Sequence, residues 1–210
     1  MIPGHEALER LREGNQRFVM NVRSRNHQLS DTRRRELTTG QYPFAIILGC
    51  SDSRVPAEIV FDQGLGDLFV IRVAGNIVAP SQVGSVEFAA ERFGTRLVVV
   101  LGHSQCGAIQ ATLEELQRPT DKRSRNLLSI VNRIRPSVEA LLATDLANDL
   151  DALMKQAVQA NVRASTNHLR SGSQILEQLI EKQNLLVVGA EYSLETGVVD
   201  FFDGVSEVAT

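Results

Sequence analysis

This 210-residue chain contains two cysteines, and both stand where they could work with other side chains. Cys50 follows the apolar run Ile46-Ile47-Leu48-Gly49, His103 follows Val99-Val100-Leu101-Gly102, and Cys106 comes three positions after His103. Ligands of parallel α/β sheets bind at the carboxyl ends of the strands, so two buried runs that each end in glycine and a metal-binding side chain predict a shared site. Cys50, His103 and Cys106 supply two thiolates and an imidazole and leave a fourth position open, the donor set of a catalytic rather than a structural zinc site. Thiolates select zinc over magnesium or calcium. A helix starting just after Cys106 would favour its thiolate through the field at the helix N-terminus. Within Cys50-Ser51-Asp52-Ser53-Arg54, a carboxylate and a guanidinium two positions apart can pair through two hydrogen bonds, which keeps Asp52 ionised and oriented.

The elements that must position these groups follow from the apolar pattern. Phe44 to Leu48, Leu97 to Leu101 and Leu185 to Val188 are short continuous apolar runs, and Leu68 to Val73 is broken only by Arg72, a pattern right for strands buried on both faces. Segments between them read as helices, and such alternation predicts a mostly parallel sheet of four to five strands covered by helices, an α/β fold. Val199 to Phe202, after a turn at Glu195 to Gly197, reads as a last edge strand. Apolar spacing over residues 4 to 20 predicts an N-terminal helix, and Asp31 to Thr39 a short charged one with Ser30 or Asp31 as its N-cap. Between Leu113 and Glu181 the pattern is helical in three or four segments, broken at Arg118-Pro119-Thr120 and at Pro136. The expectation is one α/β domain over residues 1–210, with 1–40 as a helical arm.

Composition narrows the function. With 22 basic and 25 acidic residues the formal net charge is −3, so no global positive field gathers nucleic acid or anionic lipid. No apolar stretch approaches the roughly 20 residues of a membrane helix, and the N-terminus lacks an apolar signal region; the cytoplasm is the expected compartment. Two cysteines in a reducing compartment point to metal or catalysis rather than to a disulfide. His5, His27 and His168 are assigned no role, Arg33-Arg34-Arg35 is read as a solvated face or a subunit contact, and Gly64-Leu65-Gly66 lacks the continuation that nucleotide binding requires.

Together, Cys50-Ser51-Asp52-Ser53-Arg54-Val55-Pro56 and His103-Ser104-Gln105-Cys106-Gly107 resemble the β-class carbonic anhydrases, and the resemblance runs from the N-terminal helix through Gly189-Ala190-Glu191. It implies one zinc per chain held by Cys50, His103 and Cys106, and the reversible hydration of carbon dioxide to bicarbonate by attack of zinc-bound hydroxide. Asp52 and Arg54 take the catalytic places. Gln41, Phe69, Ala74 and the backbone N–H of Gly107 match substrate-pocket positions. The family also implies a homodimer or homotetramer, with the arm packing on a partner subunit.

Zinc with two thiolates and a neutral imidazole sums to zero charge, so water there is less acidified than on a three-histidine site, and Asp52 must help. If Asp52 leaves Arg54 it can become the fourth ligand, which defines a switch: closed at low pH, open at high pH. The family tryptophan that accompanies bicarbonate inhibition is Ile47 here, with Gly49, Val55, Arg72 and Tyr192 at the remaining positions of that pocket, and Phe88 replaces a plant-type tyrosine. The residues leave other readings open: a carbon disulfide or carbonyl sulfide hydrolase on the same fold, a non-catalytic zinc-containing anion sensor, or a thiol switch between Cys50 and Cys106.

Overall fold

The structure, a computed structural model, describes residues 2–22, 31–118 and 124–205. The expected strands form as β1 (Ala45–Gly49), β2 (Leu68–Arg72), β3 (Leu97–His103), β4 (Leu186–Tyr192) and β5 (Val199–Asp203). They make one sheet in the order β2-β1-β3-β4-β5, parallel except for β5, which pairs antiparallel with β4 at the edge. β1 and β3 are buried at every position, as uninterrupted apolar runs require. β4 runs four residues beyond the expected end at Val188. Its Gly189 to Tyr192 segment breaks the apolar pattern yet completes the ladder with β3, where His103 pairs with Tyr192.

Because side chains alternate across a strand, the two faces hold different cores. Ala45, Ile47, Leu97, Val99 and Val188 face α1 (Gly4–Val19) and α3 (Ala57–Val60), and α1 lays Ala7, Leu8 and Leu11 on this chain's own sheet. Ile46, Leu48, Val98, Val100 and Val187 face α4 (Pro80–Arg92), α7 (Leu150–Ser171) and α8 (Gln174–Gln183). A third core caps the carboxyl ends of the strands, where α5 (Gly107–Gln117) and α6 (Arg125–Val138) bring Ile109 and Ile134 against Cys50 and Cys106. Glycine at 102 lets α7 lie flush on β3, since a Cβ there would meet Val162 Cγ2 at 2.6 Å.

The charged segment after the first helix is α2 (Asp31–Glu36), continued by a 3-10 turn at Leu37–Thr39. Ser30, His27 and the Pro119-Thr120 break lie outside the described residues. The break expected at Pro136 does not occur there: Pro136 sits inside the last turn of α6, which ends at Val138. A proline interrupts a helix by lacking the N–H that would reach back four residues. Near the C-terminus that costs one bond, and the N–H of Glu139 still reaches Arg135 O. Ser124, Asp149 and Ser173 cap α6, α7 and α8 with side-chain oxygens.

Candidate metal centre

Cys50 leaves the end of β1, His103 ends β3, and Cys106 stands at the N-cap of α5. These neighbouring strands bring one ligand atom from each residue within 4.8 Å of the others, all three residues buried. The sulfurs of Cys50 and Cys106 are 4.0 Å apart. His103 sets its Nδ1 2.8 Å from the carbonyl of Ser104, which can only accept, so Nδ1 carries the proton and Nε2 is the bare acceptor. That Nε2 is fully buried and has no hydrogen-bond partner among the described residues. A buried unpartnered acceptor beside two thiols is costly unless a cation fills the space, so the donor set fits a thiophilic divalent metal.

The two sulfurs are close enough to share a hydrogen bond, for which either could be the donor. With Cys106 as the donor, Cys50 falls well below the ordinary thiol range; burial opposes this, while the His103 ring and the N–H of Gly75, 3.3 Å from Cys50 Sγ, pull the same way as Cys106. Donation to Cys50 and burial push Cys106 up instead, against the helix N–H groups of Ile109 and Ala108. The helix N–H groups favour the Cys106 thiolate as expected, and in the metal-free pair the neighbouring sulfur 4.0 Å away and burial work against them. A divalent cation would displace the proton of that hydrogen bond and hold both sulfurs as thiolates.

Asp52 and Arg54 form the expected pair. Arg54 donates from Nε to Oδ1 at 2.9 Å, from a terminal nitrogen to Oδ2 at 2.7 Å, and from its backbone N–H to Oδ1 at 2.9 Å. These bonds hold the Asp52 carboxyl well below the usual carboxylate range, against a smaller penalty from partial burial. Asp52 Oδ2 is 3.9 Å from His103 Nε2, beyond a hydrogen bond and close enough to face anything held by the three donors. Arg54 also donates to Gln105 O at 3.4 Å, and Gln105 holds a left-handed φ of 54° between the two ligands of its loop. Glu195 holds that loop, accepting from Ser104 Oγ at 2.9 Å and from Gln105 Nε2 at 2.6 Å.

The remaining expected residues divide. Gly107 opens α5 with free space where a Cβ would stand, and Ala74 begins the turn whose Gly75 bonds Cys50. Gln41 and Phe69 lie elsewhere within the single chain. Gln41 precedes β1, beside a hollow of about 290 Å³ that Leu37 and Leu65 also line. Phe69 pairs in register with Ile46 and packs on Phe88 and Phe93 at ring separations of 6.2 and 6.0 Å. Each lies toward the amino end of β1, and Cys50 follows its carboxyl end.

Sequence reasoning placed Arg72 in a pocket but missed its bracing role, and missed Asn161 altogether. Arg72 donates from Nε to the Cys50 carbonyl at 2.9 Å and to the Asp52 carbonyl, and Asn161 of α7 donates to Gly75 O at 2.8 Å. A polar residue interrupting the apolar face of α7 was the one available signal for Asn161.

The family model for carbonic anhydrase matches residues 45–199, which contain all three donors and the Asp52 and Arg54 pair. Carbonic anhydrase 2 of Mycobacterium tuberculosis is 38% identical over 193 residues, 91% of this chain and 89% of that protein. The chain belongs to the β-class carbonic anhydrase family. Among solved structures, a β-carbonic anhydrase of Aspergillus fumigatus is 26% identical, covers 82% of this chain and 81% of its own, and superposes with a TM-score of 0.73. Tetrameric β-carbonic anhydrases of Sordaria macrospora match at 26% identity, 80% of this chain, 85% of theirs and a TM-score of 0.71. The β-class carbonic anhydrase membership makes the chain an enzyme of that type and supports carbon dioxide hydration as its reaction, with Cys50, His103 and Cys106 as a candidate metal site.

Proposed function

We propose that Cys50, His103 and Cys106 hold one zinc ion per chain and that the site catalyses the reversible hydration of carbon dioxide to bicarbonate and a proton. The observation that carries this reading is the fully buried, unpartnered Nε2 of His103 between two thiols and an ionised carboxylate. Zinc, when bound, supplies the Lewis acidity that makes water a nucleophile near neutral pH. Asp52 accepts a hydrogen bond from the attacking water through Oδ2, which aims an oxygen lone pair at the substrate carbon. Arg54 occupies both Asp52 oxygens and so keeps the carboxylate ionised and aimed. Gly107 offers a backbone N–H to the bicarbonate product, with Ala74 beside it as apolar wall.

Gln41 and Phe69 act across a subunit interface, in a partner's pocket, since their own chain sets them at the far end of β1. A homodimer or homotetramer is supported by the tetrameric β-carbonic anhydrases of Sordaria macrospora that the fold resembles. Phe88 and Tyr42, 53% and 87% exposed, would lose that exposure in such an assembly. Residues 1–210 act as one domain, residues 1–40 contribute an arm to the assembly, and the working compartment is the cytoplasm. Among the described residues no helix is long and apolar enough to cross a membrane.

The arrangement with Asp52 on Arg54 is the open one. Rotation of Asp52 away from Arg54 into the fourth position closes the site at low pH. The test is the initial rate of carbon dioxide hydration between pH 6 and 9 on protein whose zinc content has been measured. One zinc per chain and a rate that climbs with pH are expected; zinc-loaded protein with no hydration at any pH overturns the reading.

A further inference from the structure

α7 buries two polar side chains four residues apart, so both point from one face of the helix. Asn161 and Ser165 are 3% and 5% exposed, among Ala157, Val158 and Val162. Buried polar groups need partners, and these two find theirs on one turn. Asn161 Nδ2 donates to Gly75 O at 2.8 Å and Ser165 Oγ donates to Asn76 O at 3.2 Å. Gly75 and Asn76 hold consecutive left-handed φ values of 69° and 42°, a conformation the chain does not adopt without support. The turn is also walled in: a Cβ on Gly75 would meet Ile134 Cδ1 at 2.8 Å and Ala108 Cβ at 3.1 Å. What the turn presents is one N–H, that of Gly75, 3.3 Å from Cys50 Sγ.

An N–H donated to a thiolate takes up part of the sulfur's charge and weakens its donation to a bound cation, the outer-shell tuning that sets the Lewis acidity of many metal sites. The tuning matters here because two thiolates and an imidazole cancel the charge of a divalent ion. We propose that Asn161 is a positioning residue for metal ligation: by holding the Gly75 carbonyl it fixes the Gly75 N–H on Cys50 and tempers that thiolate. Ser165 braces the same turn one residue further from the sulfur. This inference rests on the metal reading above and adds to it a residue of α7 far along the chain from either ligand motif.

The test uses the full chain loaded with cobalt(II) in place of zinc, read by its thiolate-to-cobalt charge-transfer absorption and by metal affinity in competition with a chelator. Asn161→Leu keeps the volume and removes the donor. Its charge-transfer band should move to longer wavelength, and its affinity for the metal should change about tenfold, the lower end of what outer-shell partners contribute. Ser165→Ala should leave the band in place, and Asn161→Gln, which restores an amide donor, should return it toward the wild-type position. Should Asn161→Leu not fold, Asn161→Ala carries the same comparison. A folded donor-less variant with an unmoved band and unchanged affinity overturns the inference, even if its melting temperature falls. Wild-type protein that takes up cobalt without a thiolate band overturns the metal reading, and this inference with it.

Discussion

The two cysteines of the site are held in different ways. Cys106 is braced by its own helix, standing at the N-cap of α5 with the first N–H groups of that helix beside its sulfur. Cys50 is braced from a distance: Gly75 donates to its sulfur, Arg72 to its carbonyl, and Asn161 to the turn that carries Gly75. A ligand supported by an adjoining helix tolerates changes elsewhere in the fold, whereas one supported by tertiary contacts inherits every disturbance of the elements that make them. The same contrast separates what a sequence displays from what only a fold can supply.

The comparison breaks most severely at the ligands. Cys106→Ala and Cys50→Ala should both lose metal and activity, with metal content at background by elemental analysis. A variant retaining one metal per chain would remove that residue from the donor set. Asp52→Ala should keep its metal and lower kcat by about a hundredfold, the scale of a positioned proton acceptor; undiminished turnover at high pH would refute its role. A pair of glycine substitutions then sharpens the difference between the corners. Gly75→Ala forces a left-handed φ and a contact with Ile134 and should destabilise the protein by about 1 to 3 kcal/mol in denaturant titrations. Gly107→Ala has open space for its methyl and should leave the unfolding midpoint almost unchanged.

The smallest expected effect concerns Glu195, which clamps the loop between His103 and Cys106. Hydrogen bonds from Ser104, Ser193 and Gln105 hold its carboxyl below the usual range. A group depressed in the folded state stabilises above its unfolded value and loses that stabilisation as pH falls through its folded value. The difference in melting temperature between wild type and Glu195→Gln should therefore be small and constant above about pH 5 and shrink in acid below about pH 4. A difference that grows on acidification would contradict the clamp.

Much of the molecule is legible in its sequence for one reason: strands buried on both faces need unbroken apolar runs. β1 and β3 show them in full, and the ligands come directly after. β4 is legible only to Val188, since Gly189 and Glu191 interrupt the run while the backbone continues its ladder with β3. Pro136 signals a break that the last turn of α6 absorbs. Asp52 and Arg54 are neighbours in sequence and could be paired by chemistry alone. Gly75 could not be found this way, because its contribution is a backbone N–H that every residue but proline carries. Nor could the separation of Gln41 and Phe69 from the thiols, which depends on which end of β1 each element approaches.

Cys50 and Glu195 mark the two ends of the stretch of chain that builds and braces the site. Synthesis runs from one terminus, so a growing chain holds all three metal donors well before it holds Asn161 and the Glu195 clamp. The last supports arrive with α7 and the turn into β5, and contacts across such long separations form late in folding. Full bracing of the candidate metal site is thus a property of the finished chain. If the site holds the metal proposed for it, the fraction of tightly bound metal in a preparation of this protein counts the molecules that completed their folding.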